Sequence, residues 1–482
     1  MKSMNGPRNV AMMMDLYELT MANGYFLQEQ SKRKVAFDVF YRRNPDGAGF
    51  AVFAGLEQIL EYLENMHFSP EDVEYLRSLH LFDEQFLQYL ADFRFHGDVY
   101  AFPEGTVMYP GEPVITVIAD LVEAQMIETE LLAQVNHQSL IATKANRIVR
   151  SAKGRAVSDF GARRAHNNDA AIYGARACYI GGVNGTATVA AGQDYGIPVG
   201  GTMAHSWVMF YQDELTAFRR FAEIYPNNCI LLVDTYDVLD SGVPHAIQVF
   251  QEMREKGIHS SNYGIRLDSG DLAYLSRQAR KMLDEAGFPN AKIVVSNSLD
   301  EFTIHSILHQ GGCIDSFGVG ERMITARSEP VFGAVYKLCA VEENGVMKPR
   351  IKISENIEKV TNPGLKKVYR LYNEEGHSIA DLLAKPDEKP EDIDFLIDPI
   401  KPWKKLPTTG LYFKEIQKLF MREGERLYPT EDIQVVRDRL RAQLDHEVWQ
   451  EEQRFENPHR HYLDMTRAYY DEKMKLLAGE TI

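Results

Sequence analysis

The chain has 482 residues, of which 45% are hydrophobic and 25% are charged, and this composition is typical of a soluble globular protein with two or three domains. Its formal net charge of -16 at pH 7 argues against a general binder of nucleic acid or of anionic membranes, because both of these partners are polyanions. Any anionic substrate must therefore be met by local cations.

The apolar stretches and the cysteines indicate the cellular compartment. The start of the chain, MKSMNGPRNVAMMMDLYEL, has too short an apolar stretch for a signal peptide, and no later stretch is apolar enough for a membrane span. The cysteines are widely separated and form neither a CxxC motif nor a Cys/His ligand spacing. We therefore expect a cytoplasmic protein with reduced cysteines.

The region before residue 121 has the alternating pattern of strands. The segments VAFDVFYRR, GFAVFAGL, GDVYAFPEGT and PVITVIAD are separated by turn residues. This pattern predicts a sheet-rich α+β domain over residues 1–120, which a strand-rich stretch at 346–400 completes. Residues 121–150 are expected to form a long helix.

Strand-like and helix-like segments then alternate at an interval of about thirty residues, the spacing of βαβ units. The predicted strands are ACYIGG, IPVGGT, CILLVD, YGIRLD, KIVVSN and IDSFGVG, and ELTAFRRFAEIY and SRQARKMLDEAG are predicted helices. Repeated parallel βαβ units favour a (β/α) barrel, which we place at 121–345. Residues 401–482 are predicted to form a helical C-terminal extension.

The carboxyl ends of the predicted strands carry polar groups and glycines. All such ends open on one face of an α/β barrel, so these groups should converge. They include Asn184, His205, Asp234, Asp268 to Asp271, Asn297 and Gly318 to Glu321.

The segment FGARRAH places Arg163 and Arg164 side by side after a turn. A guanidinium offers a forked, permanently charged donor set for a carboxylate or phosphate, although an arginine pair can also form a solvated face or salt bridges. Because consecutive side chains point in different directions, one arginine could bind a substrate while the other stabilises the fold.

The segment VGGTMAHSWVM raises the question of why two glycines precede a histidine. Gly200 and Gly201 clear side chains from the approach to His205, while Thr202 and Ser206 offer hydroxyl groups. An imidazole so placed could accept a phosphoryl group. The alternatives are a structural histidine beside a turn and a histidine that only hydrogen-bonds an anion.

Two further strand ends suit a sugar phosphate. In RLDSGDLA, Asp271 could simply cap a helix, whereas Asp268 on the strand needs a partner such as a ribose diol or a Mg²⁺ shell. In FGVGERM, the backbone N–H groups at Gly318 and Gly320 could cradle a phosphate, with Asn297 in the same pocket.

Several enzyme classes are disfavoured by what the chain lacks. No GxGxxG motif opens a helix with a ribose acid at the right distance, which argues against hydride transfer. Histidine spacings for metal-assisted hydrolysis are absent as well. The polar groups and glycines at the strand ends are suited to binding a sugar phosphate that is joined to an acidic aromatic partner.

Six motifs, in this order, closely resemble the nicotinate phosphoribosyltransferase family over roughly residues 10 to 345. They are DLYELTMANGYF, FGARRAH, YIGGVNGTATVAAGQ, IPVGGTMAHSWV, RLDSGDL and FGVGERM. The resemblance implies an irregular (β/α) barrel of the type II phosphoribosyltransferase kind, packed with a sheet-rich α+β domain and followed by a helical C-terminal tail. It also implies a homodimer whose active sites lie between the two subunits.

The activity implied by the resemblance is the joining of nicotinate to phosphoribosyl pyrophosphate, which gives nicotinate mononucleotide and pyrophosphate for NAD salvage. ATP hydrolysis is coupled to this step, and Mg²⁺ accompanies ATP and phosphoribosyl pyrophosphate. No nucleic-acid or membrane partner is expected, and no residue is predicted to be a dedicated metal ligand.

The resemblance also implies residue roles. His205 matches the histidine that ATP phosphorylates, Tyr17 matches an aromatic that stacks on the pyridine ring from the partner subunit, and Arg164 matches the contact to the nicotinate carboxylate. Asp268 resembles the ribose-side acid, and Gly318 and Gly320 fall where the family binds the ribosyl phosphate. The predicted substrate-binding set is Tyr17, Phe160, Arg163, Arg164, Gly201, Ser206, Asp268, Asn297, Gly318 and Gly320.

The sequence departs from the family pattern at two places. Met14 stands where the family usually has Thr, and HNND at 166–169 replaces a more common Gln-Gly-Pro-Asp. The alternatives to this assignment are a nicotinamide phosphoribosyltransferase and a non-enzymatic dimeric scaffold. Intact polar strand ends argue against the scaffold, since they destabilise a fold that binds no ligand.

Overall fold

The computed structural model describes residues 9–480 and divides the chain into two compact units. The first is formed by the chain up to Leu140 and again from Val331, and the second spans Ile141–Pro330. The second unit is thus shorter at both ends than the barrel predicted at 121–345. A helix that begins in the first unit and ends in the second accounts for the difference at the amino-terminal boundary.

The amino-terminal part of the first unit contains strands near all four predicted segments. The long helix predicted at 121–150 is interrupted at Met126, where a turn separates two helices. The elements are α1 (Leu16–Leu27), β1 (Lys34–Phe40), β2 (Ala51–Val52), α2 (Leu56–Asn65), α3 (Pro70–Ser78), α4 (Glu84–Ala91), β3 (Asp98–Ala101), β4 (Val107–Met108), β5 (Ile115–Asp120), α5 (Leu121–Gln125) and α6 (Glu128–Ser151).

The second unit alternates strands and helices, as the spacing of its apolar segments predicts. Its elements are β6 (Ala156–Asp159), α7 (Asn168–Ile180), β7 (Gly185–Thr186), α8 (Val189–Tyr195), α9 (His205–Phe210), α10 (Glu214–Ile224), β8 (Cys229–Leu232), α11 (Val243–Glu255), β9 (Tyr263–Leu267), α12 (Leu272–Glu285), β10 (Lys292–Val295), α13 (Glu301–His309), β11 (Ser316–Val319) and α14 (Glu321–Ile324). The six strands pair in parallel in the order β7-β6-β11-β10-β9-β8. This curled half-barrel brings the carboxyl ends of the strands to one face.

The carboxyl-terminal part of the chain completes the first unit. Its elements are β12 (Val335–Glu343), β13 (Val346–Pro349), β14 (Lys367–Tyr372), β15 (Ser378–Ala384), β16 (Phe395–Ile397), β17 (Lys405–Pro407), β18 (Tyr412–Glu415), β19 (Lys418–Arg422), β20 (Glu425–Arg426), α15 (Ile433–His446), β21 (Leu463–Met465) and α16 (Arg467–Leu477). The first unit holds a seven-stranded sheet, β13-β12-β1-β5-β3-β19-β20, and a six-stranded sheet, β17-β16-β21-β15-β14-β18. Residues 401–482, predicted to form a helical extension, contain the helices α15 and α16 but also the strands β17 to β21, which were not predicted.

The predicted fold class, an irregular α/β barrel with a sheet-rich α+β part and a helical C-terminal segment, is confirmed, but two predicted barrel strands are wrong. ACYIGG is the end of α7 and the turn after it, and IPVGGT contributes only an isolated bridge between Val199 and Thr186. A short buried apolar run does not distinguish a strand from a helix. A Cβ at Gly181 would lie 2.5 Å from the Ala142 carbonyl oxygen, so this glycine permits close packing of the end of α7.

The described chain has two further features that bear on its environment. Among residues 9–480, no helix is both long enough and apolar enough to cross a membrane. All four cysteines are free, and three of them are buried: Cys178, Cys229 and Cys339.

A buried network of charged groups joins distant segments within the first unit. Arg370 on β14 donates two hydrogen bonds to Asp381 on β15, at 2.9 and 2.7 Å. The fully buried His461 ring stacks on Tyr109 at a centroid distance of 3.7 Å, and Nε2 lies 3.4 Å from Asp381 Oδ1. Burial opposes the charge of Asp381, but the nearby Arg370 guanidinium keeps the pKa of this carboxyl below its usual range. Burial raises the pKa of Glu112 well above its usual range.

We expect Asp381→Asn to destabilise the first unit strongly, because Arg370 would remain buried without its charged partner. Breaking a buried pair on one side lowers the free energy of unfolding by about 3 to 5 kcal/mol. The measurement is the denaturant midpoint followed by circular dichroism. Asp471→Asn is the matched control, since it removes the acid of an exposed pair with Arg467 and should leave the midpoint unchanged. Equal midpoints for both variants and the parent would contradict this account of the network.

Candidate active site

The carboxyl ends of the parallel strands of the second unit surround a cavity of about 520 Å³. This is the face at which ligands bind in α/β barrels. The predicted residues that line the cavity are Phe160, Arg163, Arg164, Gly201, Asp268, Asn297, Gly318 and Gly320. The structure thus brings together eight residues that are distributed over some 160 positions of the sequence.

The end of β6 places the two arginines at the cavity. The Asp159 carboxylate accepts hydrogen bonds from the Gly161 N–H at 2.8 Å and the Thr186 hydroxyl at 2.7 Å, which fixes the turn after the strand. Burial raises the pKa of Asp159. A short 3-10 helix, Ala162–Arg164, follows this turn. Both arginines are exposed and, within residues 9–480, make no hydrogen bond or ion pair, so both are available to a ligand.

Gly318 and Gly320 flank the aromatic ring that precedes the arginines. A Cβ on Gly318 would lie 2.4 Å from the ring of Phe160, and one on Gly320 would lie 3.1 Å from the Phe160 carbonyl oxygen. The absence of side chains at the end of β11 therefore lets the Phe160 ring lie against the strand. A Cβ on Gly201 would meet nothing within 4 Å, as expected for a residue that borders open space.

Asp271 and Asp268, which follow β9, have different hydrogen-bond partners. Asp271 caps α12, because its carboxylate accepts a hydrogen bond from the Tyr274 N–H at 2.9 Å. Asp268 instead lines the cavity, and its Oδ1 accepts a short hydrogen bond from the Ser296 hydroxyl at the end of β10. The next two residues, Asn297 and Ser298, have φ values of 90° and 45°. Non-glycine residues in the left-handed region are strained, and such strain is concentrated at functional sites.

His205 is the first residue of α9 and lies next to a buried carboxylate. Its Nε2 is 3.2 Å from Oδ1 of Asp234, whose side chain is 1% exposed, whereas the His205 side chain is 40% exposed. The other oxygen of Asp234 accepts hydrogen bonds from the Asp268 N–H at 2.9 Å and the Ser269 hydroxyl at 2.6 Å. Asp234 therefore fixes both the imidazole and the turn that carries Asp268. His205 and Ser206 are outside the lining of the cavity.

Family models match the chain along most of its length. They are described as the nicotinate phosphoribosyltransferase N-terminal domain (residues 12–136), the nicotinate phosphoribosyltransferase family (155–374) and the nicotinate phosphoribosyltransferase C-terminal domain (365–473). Nicotinate phosphoribosyltransferase of Bacillus subtilis is 44% identical over 96% of this chain and 94% of its own length. The chain belongs to the nicotinate phosphoribosyltransferase family.

Other similar proteins agree with this membership. Nicotinate phosphoribosyltransferase of Dictyostelium discoideum is 33% identical over 95% of this chain and 86% of its own length. The crystal structure of human nicotinic acid phosphoribosyltransferase superposes with a TM-score of 0.84 at 26% identity, covering 96% of this chain and 99% of that one. Nicotinate-nucleotide pyrophosphorylase from Pyrococcus furiosus, at 24% identity and a TM-score of 0.71 over 92% and 99% of the two chains, shares the fold.

Arg266 is a cavity residue of this family member that the sequence analysis missed. It lies on β9, and its guanidinium donates hydrogen bonds to the Thr202 hydroxyl and, at 3.0 Å, to the Met203 carbonyl. Its buried Nε has no partner within the described residues, and burial lowers the pKa of its guanidinium. Its position could have predicted this role. Arg266 is two residues before Asp268, and side chains two residues apart on a strand lie on the same face.

Tyr17 belongs to the first unit, near the start of α1. The residue is 43% exposed, and partial burial together with the nearby Glu128 raises the pKa of the phenol. The helix begins at a capping box in which Asp15 and Glu18 bond each other's backbone N–H groups. The aromatic side chain is thus held on a regular helix and presented to solvent.

Residues 9–480 include no cluster of three or more His, Cys, Asp and Glu side chains that could enclose a metal ion. Mg²⁺ does not require such a cluster, because it often binds one or two carboxylates together with water and substrate phosphates. Asp268, which lines the cavity, fits this coordination.

Proposed function

We propose that the chain transfers the phosphoribosyl group of phosphoribosyl pyrophosphate to nicotinate, releasing nicotinate mononucleotide and pyrophosphate, and couples this step to ATP hydrolysis in NAD salvage. The observation that carries the proposal is the cavity at the carboxyl ends of the strands, which Arg163, Arg164 and Arg266 line in a chain with a net charge of -16. We also propose that the enzyme works in the cytoplasm, where free cysteines such as those of this chain remain reduced.

The cavity offers a site for each part of the substrates. Arg164 is assigned to the nicotinate carboxylate and Phe160 to a face of the pyridine ring, because a guanidinium suits a carboxylate and an aromatic ring suits a planar ring. Asp268 is assigned to the ribose hydroxyls, and the backbone at Gly318 and Gly320 to the 5-phosphate. Arg163 contributes to the positive potential near Arg266, whose pKa it lowers further.

The transfer step breaks the bond between the ribose anomeric carbon and pyrophosphate and forms a bond from that carbon to the pyridine nitrogen. The transition state has oxocarbenium character, so catalysis depends mainly on orientation and on stabilising the departing anion. Mg²⁺, arriving with the substrate phosphates, would neutralise charge on the leaving pyrophosphate. Asp268 would hold it together with those phosphates.

His205 is proposed to carry the phosphoryl group from ATP. A carboxylate only accepts hydrogen bonds, so the proton lies on Nε2 facing Asp234 and the Nδ1 lone pair is free to attack. Nδ1 would form a bond to the γ-phosphorus of ATP as the bond to ADP breaks, and Asp234 would stabilise the resulting positive imidazole. Asp234 is then a positioning residue, since it acts through His205.

Unpaired arginines at the cavity favour nicotinate over nicotinamide, the substrate of the nearest alternative enzyme. We expect nicotinate to be converted far more efficiently than nicotinamide, and Arg164→Ala to raise the KM for nicotinate about tenfold or more, since a hydrogen bond to a charged group contributes about 1.5 to 3 kcal/mol. The KM for phosphoribosyl pyrophosphate should change little. Steady-state assays of both bases test this expectation.

Two comparisons make this substrate test specific. Arg219→Ala is the control, because Arg219 is a half-buried arginine of the same unit that pairs with Glu252 and does not line the cavity. Arg163→Ala separates the two neighbours, since an effect on nicotinate confined to this variant would move the carboxylate contact to Arg163. Equal efficiency with nicotinate and nicotinamide would refute the assignment of the base.

Incubation with γ-labelled ATP should give an acid-labile, base-stable phosphoprotein that is absent in His205→Ala. Asp234→Asn should label more slowly, because the imidazole loses the carboxylate that orients it. His245→Ala is the matched control, since His245 also pairs with a buried carboxylate, Glu214, at 2.8 Å, but lies on a different helix, α11. A wild-type enzyme that couples ATP hydrolysis to product without taking up label would show that His205 is only an anion contact.

The exposed apolar side chains of α1 lead us to propose a homodimer in which Tyr17 completes the site of the partner subunit. Leu16, Tyr17, Met21 and Leu27 are each at least 40% exposed. Mixing inactive Tyr17→Ala chains with inactive His205→Ala chains should restore activity, because a hybrid dimer would contain an intact site. Assays of the mixture and sedimentation of the parent test this, and a fully active monomer would exclude it.

A further inference from the structure

A second cavity, of about 500 Å³, adjoins the first within the same unit. Arg164 and Glu321 line both cavities, so a ligand group could pass from one to the other beside these side chains. The lining residues are Arg164, His166, Glu321, Thr325, Arg327 and Pro330. None of the steps assigned above uses this second cavity.

Most of its polar side chains are available to a ligand. Arg164 and His166 are exposed and, in the described part of the chain, make no hydrogen bond or ion pair. Arg327 forms an ion pair with Glu321 at 3.0 Å, but the two side chains are 62% and 42% exposed. Exposed pairs contribute little to stability, so an incoming anion can compete for the Arg327 guanidinium.

The local charge has the opposite sign to that of the whole chain. Two guanidiniums face a single carboxylate, that of Glu321, in a protein with a net charge of -16. Keeping two cations beside one carboxylate leaves a net positive charge, which a bound anion would stabilise. Guanidinium forks match the oxygens of phosphate groups, and separate forks suit a ligand that carries more than one phosphate.

His166 also lines the second cavity. It opens the HNND stretch at 166–169. Its side chain adds a hydrogen-bonding ring to the second cavity, next to the two arginines.

We propose that the second cavity is an outer subsite for inorganic pyrophosphate, which it holds beside the reaction cavity through His166 and Arg327. The choice of pyrophosphate rests on the proposed function, in which pyrophosphate is the released product. Arg164 borders both cavities, so its positive charge attracts the departing anion toward the second cavity while its guanidinium remains assigned to the nicotinate carboxylate. The subsite is a binding site and takes no part in bond formation.

The test is calorimetric titration of the whole protein with sodium pyrophosphate. Wild type should show a second binding event beyond that of the reaction cavity. His166→Gln and Arg327→Gln should each weaken that event about tenfold or more, in keeping with the loss of a charge-assisted hydrogen bond. Arg219→Gln, which breaks another Arg–Glu pair away from both cavities, is the control and should leave both events unchanged.

A variant that is expected to strengthen pyrophosphate binding shows whether weaker binding in the other variants is caused by misfolding. Glu321→Gln removes the carboxylate that lines the second cavity and should tighten the second event, a gain that an unfolded protein would not show. A single binding event in wild type would overturn the proposal. Unchanged isotherms in both His166→Gln and Arg327→Gln would overturn it as well.

The titration is independent of turnover, so it separates this proposal from the proposed function. If wild type forms no mononucleotide from nicotinate, the proposed function fails, whereas the pyrophosphate isotherms still decide whether the subsite exists. Titration with ribose 5-phosphate, which has a single phosphate, tests the choice of ligand. A second event of equal affinity with ribose 5-phosphate would refute the selectivity for pyrophosphate.

Discussion

The buried carboxylate of Asp234 is the interaction on which the geometry of the candidate site depends. It lies just beyond the end of β8 and contacts the His205 imidazole, the backbone N–H of Asp268 and the Ser269 hydroxyl. A buried acid is stable only where hydrogen bonds or charges compensate for its lost hydration, and these three donors provide that compensation. The start of α9 and the turn after β9 are therefore both hydrogen-bonded to this carboxylate. If either one moved, the buried carboxylate would lose hydrogen-bond donors.

Much of this arrangement could be predicted from the sequence, because parallel strands follow a simple rule. The apolar runs CILLVD, YGIRLD, KIVVSN and IDSFGVG are strands, and the polar groups that follow them meet at one face. Central strands of a parallel sheet are continuous apolar runs bounded by polar residues, so their ends are readily located. The prediction that Asp268, Asn297, Gly318 and Gly320 would converge therefore needed only the order of the strands.

What the sequence did not reveal depends on contacts between segments. Strand β6, in RAVSDF, has only two apolar residues and was not predicted, although it pairs with both β11 and β7 and leads into the turn before the arginine pair. The pairing of Asp234 with His205 joins positions 29 apart that no local pattern connects. Arg266 resembles any exposed arginine in a strand until its contacts with Thr202 and Met203 are known.

The close approach of Gly318 to Phe160 has a consequence for the range of bases that the cavity could accept. The ring occupies the space that a side chain on β11 would otherwise fill, so the width of the pocket at this level is set by a pair of residues on neighbouring strands. Enlarging one member without reducing the other would displace the ring, whereas a coordinated exchange would conserve the filled volume. Positions 160 and 318 should therefore evolve together, and they form the pair through which a pocket for bulkier pyridine derivatives could be engineered.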